Sequence, residues 1–100
     1  MSTLALPIAA DHPAYAGHFP GHPILPGVVL LDQAQRALEQ ACGVTVTGLA
    51  QAKFLSPCLP GDALDLDYEC SGTALRFEIR CDQRRVASGR FTLAPAGTAA

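Results

Sequence analysis

The sequence predicts an α+β fold, an antiparallel sheet wrapped around one long central helix. Three observations predict it. The stretch Gly27–Cys42, GVVLLDQAQRALEQAC, has no proline, is rich in Ala, Leu and Gln, and lies between Pro26 and Gly43. Ala63–Cys70 (ALDLDYEC) and Ala74–Cys81 (ALRFEIRC) alternate apolar with charged residues, the period-two signature of strands with one wet face. The joining segments are short, and short turns make consecutive strands antiparallel. A mostly apolar helix must then bury itself against that sheet.

Taken in order, Thr3–Ala9 (TLALPIA) reads as a first strand, with Pro7 confining it to an edge or an end. Asp11-His12-Pro13 is a break in which Asp11 is placed to cap a short turn. Gly17–Gly27, GHFPGHPILPG, packs three prolines, three glycines and two histidines into eleven residues and can be neither regular helix nor regular strand. It reads as an ordered loop. In the helix, positions 28, 31, 34, 35, 38, 41 and 42 follow helical spacing, and all but Gln35 are apolar. Val29 and Leu30 widen the stripe, so the first two turns are expected to be buried on most sides. Pro26 suits the start of this helix and Gly43 its end.

Val44–Leu55 is β-rich, and Ser56–Asp62 (SPCLPGD) is a turn punctuated by Pro60-Gly61. Ser71–Thr73 and Asp82–Arg84 are turns, and Arg85–Leu93 (RVASGRFTL) is the last strand. The tail APAGTAA is expected to fray. No repeat or linker divides the chain, so residues 1–100 are expected to form a single domain.

A chain of 100 residues that is 49% hydrophobic can build a core, but it buries a smaller share of its surface than a large one. A partner subunit covering further apolar surface would help. The formal net charge of −2 argues against a nucleic-acid backbone binder. No apolar run approaches the roughly 20 residues of a membrane span. The N-terminus MSTLALPIAADHP lacks the basic segment and long apolar core of a signal peptide, so a cytoplasmic protein is expected. Cys42, Cys58, Cys70 and Cys81 form no C-x-x-C pair and read as reduced, mostly buried small hydrophobes. No metal site is expected from them.

Three features can carry chemistry. The amides of Gly27, Val28 and Val29 open the helix at the positive end of its dipole, and Gly27 has no side chain to block approach. A carbonyl oxygen placed there would be polarised. Asp32 lies about one and a half turns in, among the apolar residues 28, 29 and 31, surroundings that disfavour its charged form. Arg36, four residues on, opposes this through an i, i+4 ion pair, and the sequence leaves both possibilities open. His18 is clamped between Gly17 and Phe19-Pro20 and offers an imidazole base near neutral pH, while His12 and His22 read as turn and surface residues. An imidazole, a carboxyl group and a carbonyl-polarising helix end fit proton removal next to a carbonyl, with loss or shift of a group one carbon further on.

The segment GHFPGHPILPGVVLLD resembles the active-site segment of the β-hydroxyacyl-acyl-carrier-protein dehydratases, whose fold is the hotdog. That pattern is G-H-F-P-G-x-P-x-x-P-G-V with a Glu or Asp fourteen residues after the first His, the spacing of His18 and Asp32. A second segment, AKFLSPCLPGD at residues 52–62, is similar to the family's A-[KR]-F-x-x-P-x-x-P-G-D.

The resemblance implies a homodimer, or a higher assembly of dimers, with each active site at the subunit boundary. It implies that His18 removes the C2 proton and that Asp32 of the other chain helps the C3 hydroxyl leave as water. The amides of Gly27 and Val28 would hold the thioester carbonyl. Phe19, Pro26, Leu31 and Phe54 are expected to line the slot for the acyl chain. The substrate would arrive as a thioester on the phosphopantetheine arm of acyl carrier protein, with no metal or redox cofactor.

Three departures from the family pattern stand out. Only about sixteen residues precede the motif where larger members carry an N-terminal extension, which points to different chain-length control. Arg36 replaces a common Gln, and the acid is Asp rather than Glu. Short members often serve specialised pathways such as aryl-polyene synthesis. Five of the seven Lys and Arg residues are Arg76, Arg80, Arg84, Arg85 and Arg90, which read either as a landing patch for the acidic carrier, with Arg84 and Arg85 its candidate residues, or as charges on the wet face of a sheet. The competing readings are an acyl-thioester hydrolase on the same fold and a non-catalytic module that binds acyl chains or carrier protein.

Overall fold

The computed structural model describes residues 2–6, 25–59 and 61–95. Its elements are β1 (Ser2–Leu6), α1 (Gly27–Cys42), β2 (Val46–Phe54), β3 (Leu64–Ser71), β4 (Ala74–Cys81) and β5 (Arg84–Leu93). The helix has the predicted limits. Pro26 precedes it, and Gly43 ends it in the left-handed conformation (φ 65°), its N–H bonded to the Glu39 carbonyl. The strands follow the predicted runs closely. Residues 7–9 of the predicted first strand, the loop through Ile24, Pro60 and the tail from residue 96 lie outside the described residues.

The strands form one antiparallel sheet in the order β1-β3-β4-β5-β2. The alternating runs pair as hairpins. Gly72-Thr73 joins β3 to β4, with Gly72 at φ 61°, and Asp82-Gln83 joins β4 to β5. Asp82, at φ 55°, is the one described non-glycine residue with positive φ, a conformation that Asp tolerates better than most residues. The β2–β3 connection is no hairpin. β2 pairs with β5 at the far edge, so the chain must cross from one side of the sheet to the other between β2 and β3, and residues 55–58 do so past the start of α1. The Leu25 amide donates to the Cys58 carbonyl at 3.0 Å, tying this crossover to the residues that lead into the helix.

The core lies between α1 and the sheet. Leu30, Ala34 and Leu38 are the helix residues fully buried in it, at a spacing of four. They meet Leu66, Leu75, Ile79 and Val86 from the sheet, each at 0% exposure. The buried stripe is therefore narrower than the sequence pattern implies. Val28, expected within it, is 73% exposed. At 100° per residue it projects well away from the stripe centred on Ala34. Cys70 also departs from expectation. It is exposed near the end of β3, whereas Cys58 is buried and Cys42 and Cys81 are half-buried.

Three strands are also laced by polar contacts on the outer face. Asp67 of β3 accepts from Thr3 Oγ1 of β1 at 2.6 Å and from Arg80 Nε and Nη2 of β4, the last at 3.1 Å. The Arg80 hydrogen bond, and then that of Thr3, hold the Asp67 carboxyl below its usual range against the opposing effect of burial. A depressed folded-state value means stability that is present above the ordinary value of 3.8 and is lost as pH falls through the folded one. Urea midpoints measured from about pH 5 downward are expected to fall, and Asp67→Asn is expected to flatten that decline.

Candidate active site

The N-terminus of α1, the end of β2 and the start of the crossover enclose an open pocket of about 510 Å3. Pro26, Gly27 and Val28 form one wall, and Phe54, Leu55 and Cys58 form part of the other. Proline at residue 26 is held outside the helix at ψ 142°, so no side chain caps the first turn. The Pro26 carbonyl takes the amides of Val29 (3.1 Å) and Leu30 (3.2 Å). The Val29 amide is thus occupied. Those of Gly27 and Val28 have no acceptor among the described residues and lie at the positive end of the helix.

Phe54 lies against this mouth. A Cβ on residue 27 would stand 2.6 Å from its Cζ and 2.7 Å from its Cε1, so the ring occupies the space that glycine leaves. Phe54 is 54% exposed, and its ring can swing outward. Gly27→Ala is therefore expected to leave the melting temperature nearly unchanged while displacing the ring at the mouth. Turnover should fall about tenfold or more, as misplacement at a reacting centre does. Thermal unfolding and steady-state rates of the same preparation check both halves.

Of the predicted site residues, Pro26, Gly27, Val28 and Phe54 meet at this pocket. Leu31 does not line it. One turn of 100° brings its side chain from the Leu30 direction against the edge of the core instead. His18 and Phe19 lie outside the described residues. Asp32 is not semi-buried, for its side chain is 51% exposed on a helix face roughly 160° from the Ala34-centred stripe. It forms the anticipated i, i+4 pair with Arg36, Nε to Oδ2 at 3.0 Å. It does not line the pocket of its own chain.

The crossover residues 55–58 complete the pocket, Ser56–Cys58 being part of the predicted turn and Leu55 the end of the predicted β-rich segment. Their signal was the second motif, at residues 52–62. Arg84, expected on a landing patch, turns to this loop instead. It donates to the Pro57 carbonyl and to Asp62 Oδ2, both at 2.8 Å, and the same carboxylate oxygen accepts the Leu59 amide at 2.9 Å. Asp62 and Arg84 thereby hold the loop that walls the pocket. Arg85 pairs with Glu78 Oε1 at 2.8 Å. Among the described residues no group of three His, Cys, Asp or Glu is arranged to hold a metal ion.

A long helix wrapped by an antiparallel sheet, with a pocket at the helix mouth, defines a hotdog-fold protein. The chain belongs to the ApeI-like family, described as ApeI dehydratase, which matches residues 1–90. Among curated relatives it is similar to the 3-hydroxyacyl-[acyl-carrier-protein] dehydratase FabZ of Haemophilus influenzae, at 37% identity over 62% of this chain and 49% of the relative. It is similar also to FabZ of Myxococcus xanthus, at 33% identity over 84% of this chain and 65% of the relative. The chain spans about half the length of the first of these. Among solved structures it resembles the dehydratase heterocomplex ApeI:P from Xenorhabdus doucetiae, with TM-score 0.74 and 26% identity over 92% of this chain and 85% of that one. A hexameric thioesterase from Yersinia pestis shares the fold, with TM-score 0.61 and 20% identity over 96% and 94% of the two chains.

Proposed function

We propose that this chain dehydrates a 3-hydroxyacyl thioester on acyl carrier protein to the trans-2-enoyl thioester, in fatty acid or specialised polyene- or polyketide-type lipid biosynthesis. The observation that carries this reading is the pocket at the mouth of α1. Two helix amides without described acceptors open onto an apolar cavity, the surroundings that a thioester carbonyl with an attached acyl chain requires. The amides of Gly27 and Val28 take the carbonyl oxygen as negative charge develops on it. His18 takes the C2 proton. The electron pair left at C2 forms the C2–C3 double bond, and the C3 hydroxyl departs with a proton from Asp32 as water. The residues need no metal or redox group for this sequence of bond changes.

The working unit is a homodimer in the cytoplasm, joined along β2. That strand is a sheet edge, and Leu49, Phe54 and Leu55, on and just beyond it, are 45%, 54% and 48% exposed. An apolar edge of this kind is a liability in a monomer and an asset in a continuous sheet. Asp32, facing away from the core of its own chain, then serves the site of the partner. No described helix is long and apolar enough to cross a membrane.

The test is incubation of the purified chain with aliphatic and aryl 3-hydroxyacyl carrier-protein thioesters. Enoyl absorbance should rise without release of free thiol. Thiol release without enoyl would assign a hydrolase instead. No turnover of any substrate would leave a binding module.

A further inference from the structure

The face of the sheet turned away from α1 carries a second concavity, of about 350 Å3, across β2, β5 and β4. Its lining includes Lys53 of β2, Arg90 and Arg85 of β5, and Arg76 of β4. Arg85 is neutralised by Glu78. Lys53, Arg76 and Arg90 have no carboxylate within ion-pair distance among the described residues, although Glu69 stands opposite Arg76 on β3. Arg76 and Arg90 are direct cross-strand partners, with like charges facing one another on strands about 4.8 Å apart. Such a pairing destabilises a sheet, and within the described residues only Glu69, across from Arg76 on β3, works against it, with no carboxylate paired to Arg90. Glu78 lines the groove as well, its carboxylate committed to Arg85, and the other polar groups, the Gln51 amide and the Ser88 hydroxyl, can both donate. A chain with a formal net charge of −2 has thus gathered three unneutralised cations and two neutral donors in one small hollow.

We propose that this groove binds a phosphate group, held by Arg76 and Arg90 from adjacent strands and by Lys53 at one end. Arginine forks match the paired oxygens of phosphate, and the lysine adds a point charge. Lys53 is followed at once by Phe54, which lines the pocket on the other face, so one strand end serves both sites. The phosphate has two possible sources, the phosphopantetheine arm of a carrier-linked substrate and a free phosphorylated small molecule. The first of these rests on the dehydratase reading above, and the binding site itself does not.

Inorganic phosphate is the probe. Titrated into the full chain at constant ionic strength, it should give saturable amide shifts centred on residues 76, 88 and 90 and should raise the melting temperature. Arg90→Gln should weaken this about tenfold, as loss of a charged hydrogen-bond partner does. In phosphate-free buffer the same variant should melt higher than the wild type, because the facing like charges are gone. A non-saturating response, identical in wild type and Arg90→Gln, would overturn the site. Turnover then separates the sources. A phosphopantetheine thioester should have a KM about tenfold below that of the pantetheine thioester lacking phosphate, and Arg90→Gln should abolish the difference. Equal KM values with saturable phosphate binding support the site with a free phosphorylated ligand and overturn the carrier-arm source. Absence of turnover on both thioesters would refute the dehydratase reading while the titration still decides the site.

Discussion

Replacing His18 with alanine is expected to lower kcat/KM for a carrier-linked 3-hydroxyacyl thioester about 10²–10⁴-fold, the usual contribution of a positioned general base. Asp32→Asn should lose a comparable factor, because an amide cannot deliver the proton with which the hydroxyl leaves. The more decisive result comes from mixing the two variants under conditions that exchange subunits. Asp32 faces away from the core of its own chain and is absent from the pocket of its own chain. If it acts on the partner's pocket, a hybrid dimer has one site with both defects and one site with neither. Random exchange makes half the dimers hybrid, so about a quarter of the wild-type activity should return. If Asp32 acts within its own chain, mixing returns nothing. The recovered rate therefore reads both the identity of the acid and the existence of the dimer.

How much of this could be read from the sequence depends on the range over which each feature is decided. The limits of α1 were legible because Pro26 and Gly43 set them locally. The β3–β4 and β4–β5 hairpins were legible because alternation and two-residue turns leave no other pairing. The position of β2 beside β5 was not, since nothing within Val46–Phe54 distinguishes one sheet edge from the other. For the same reason residues 56–58 read as a turn although they wall a pocket. The apolar VVLL run before Asp32 suggested burial on all sides, yet only Leu30 of those four is buried in the single chain. An apolar run shows that surface will be covered but does not say by which chain. The hold of Arg84 on the pocket loop was not legible either, because its partner Asp62 lies across the fold rather than nearby in the chain.

Gly89→Val is expected to produce the largest loss of stability of any single substitution on the sheet. Gly89 pairs with Phe77 on one side and Ala52 on the other, at the centre of three adjacent strands. A Cβ there would stand 2.4 Å from the Gln51 carbonyl oxygen and 2.8 Å from Phe77 Cζ. Neither neighbour can yield. The carbonyl is backbone beside the Leu49/Gln51 irregularity of β2, and Phe77 is 3% exposed and stacked on Phe91 with ring centroids 4.7 Å apart. The strand must therefore move, and the expected cost is about 3 kcal/mol, at the upper end for overpacking. For a domain of this size that lowers the melting temperature by about 12–24 °C. Gly48→Ala is the control. Its Cβ would meet only the Thr92 hydroxyl, at 3.0 Å, and Thr92 is exposed, held there by one surface hydrogen bond to Thr47 Oγ1 at 3.2 Å, so its melting temperature should change little. Because β2 carries Phe54 at its end, Gly89→Val should also reduce turnover at temperatures where the chain remains folded. A variant that kept both its melting temperature and its activity would mean that β2 is not fixed against β5 at this point, and that the pocket wall is positioned by the crossover alone.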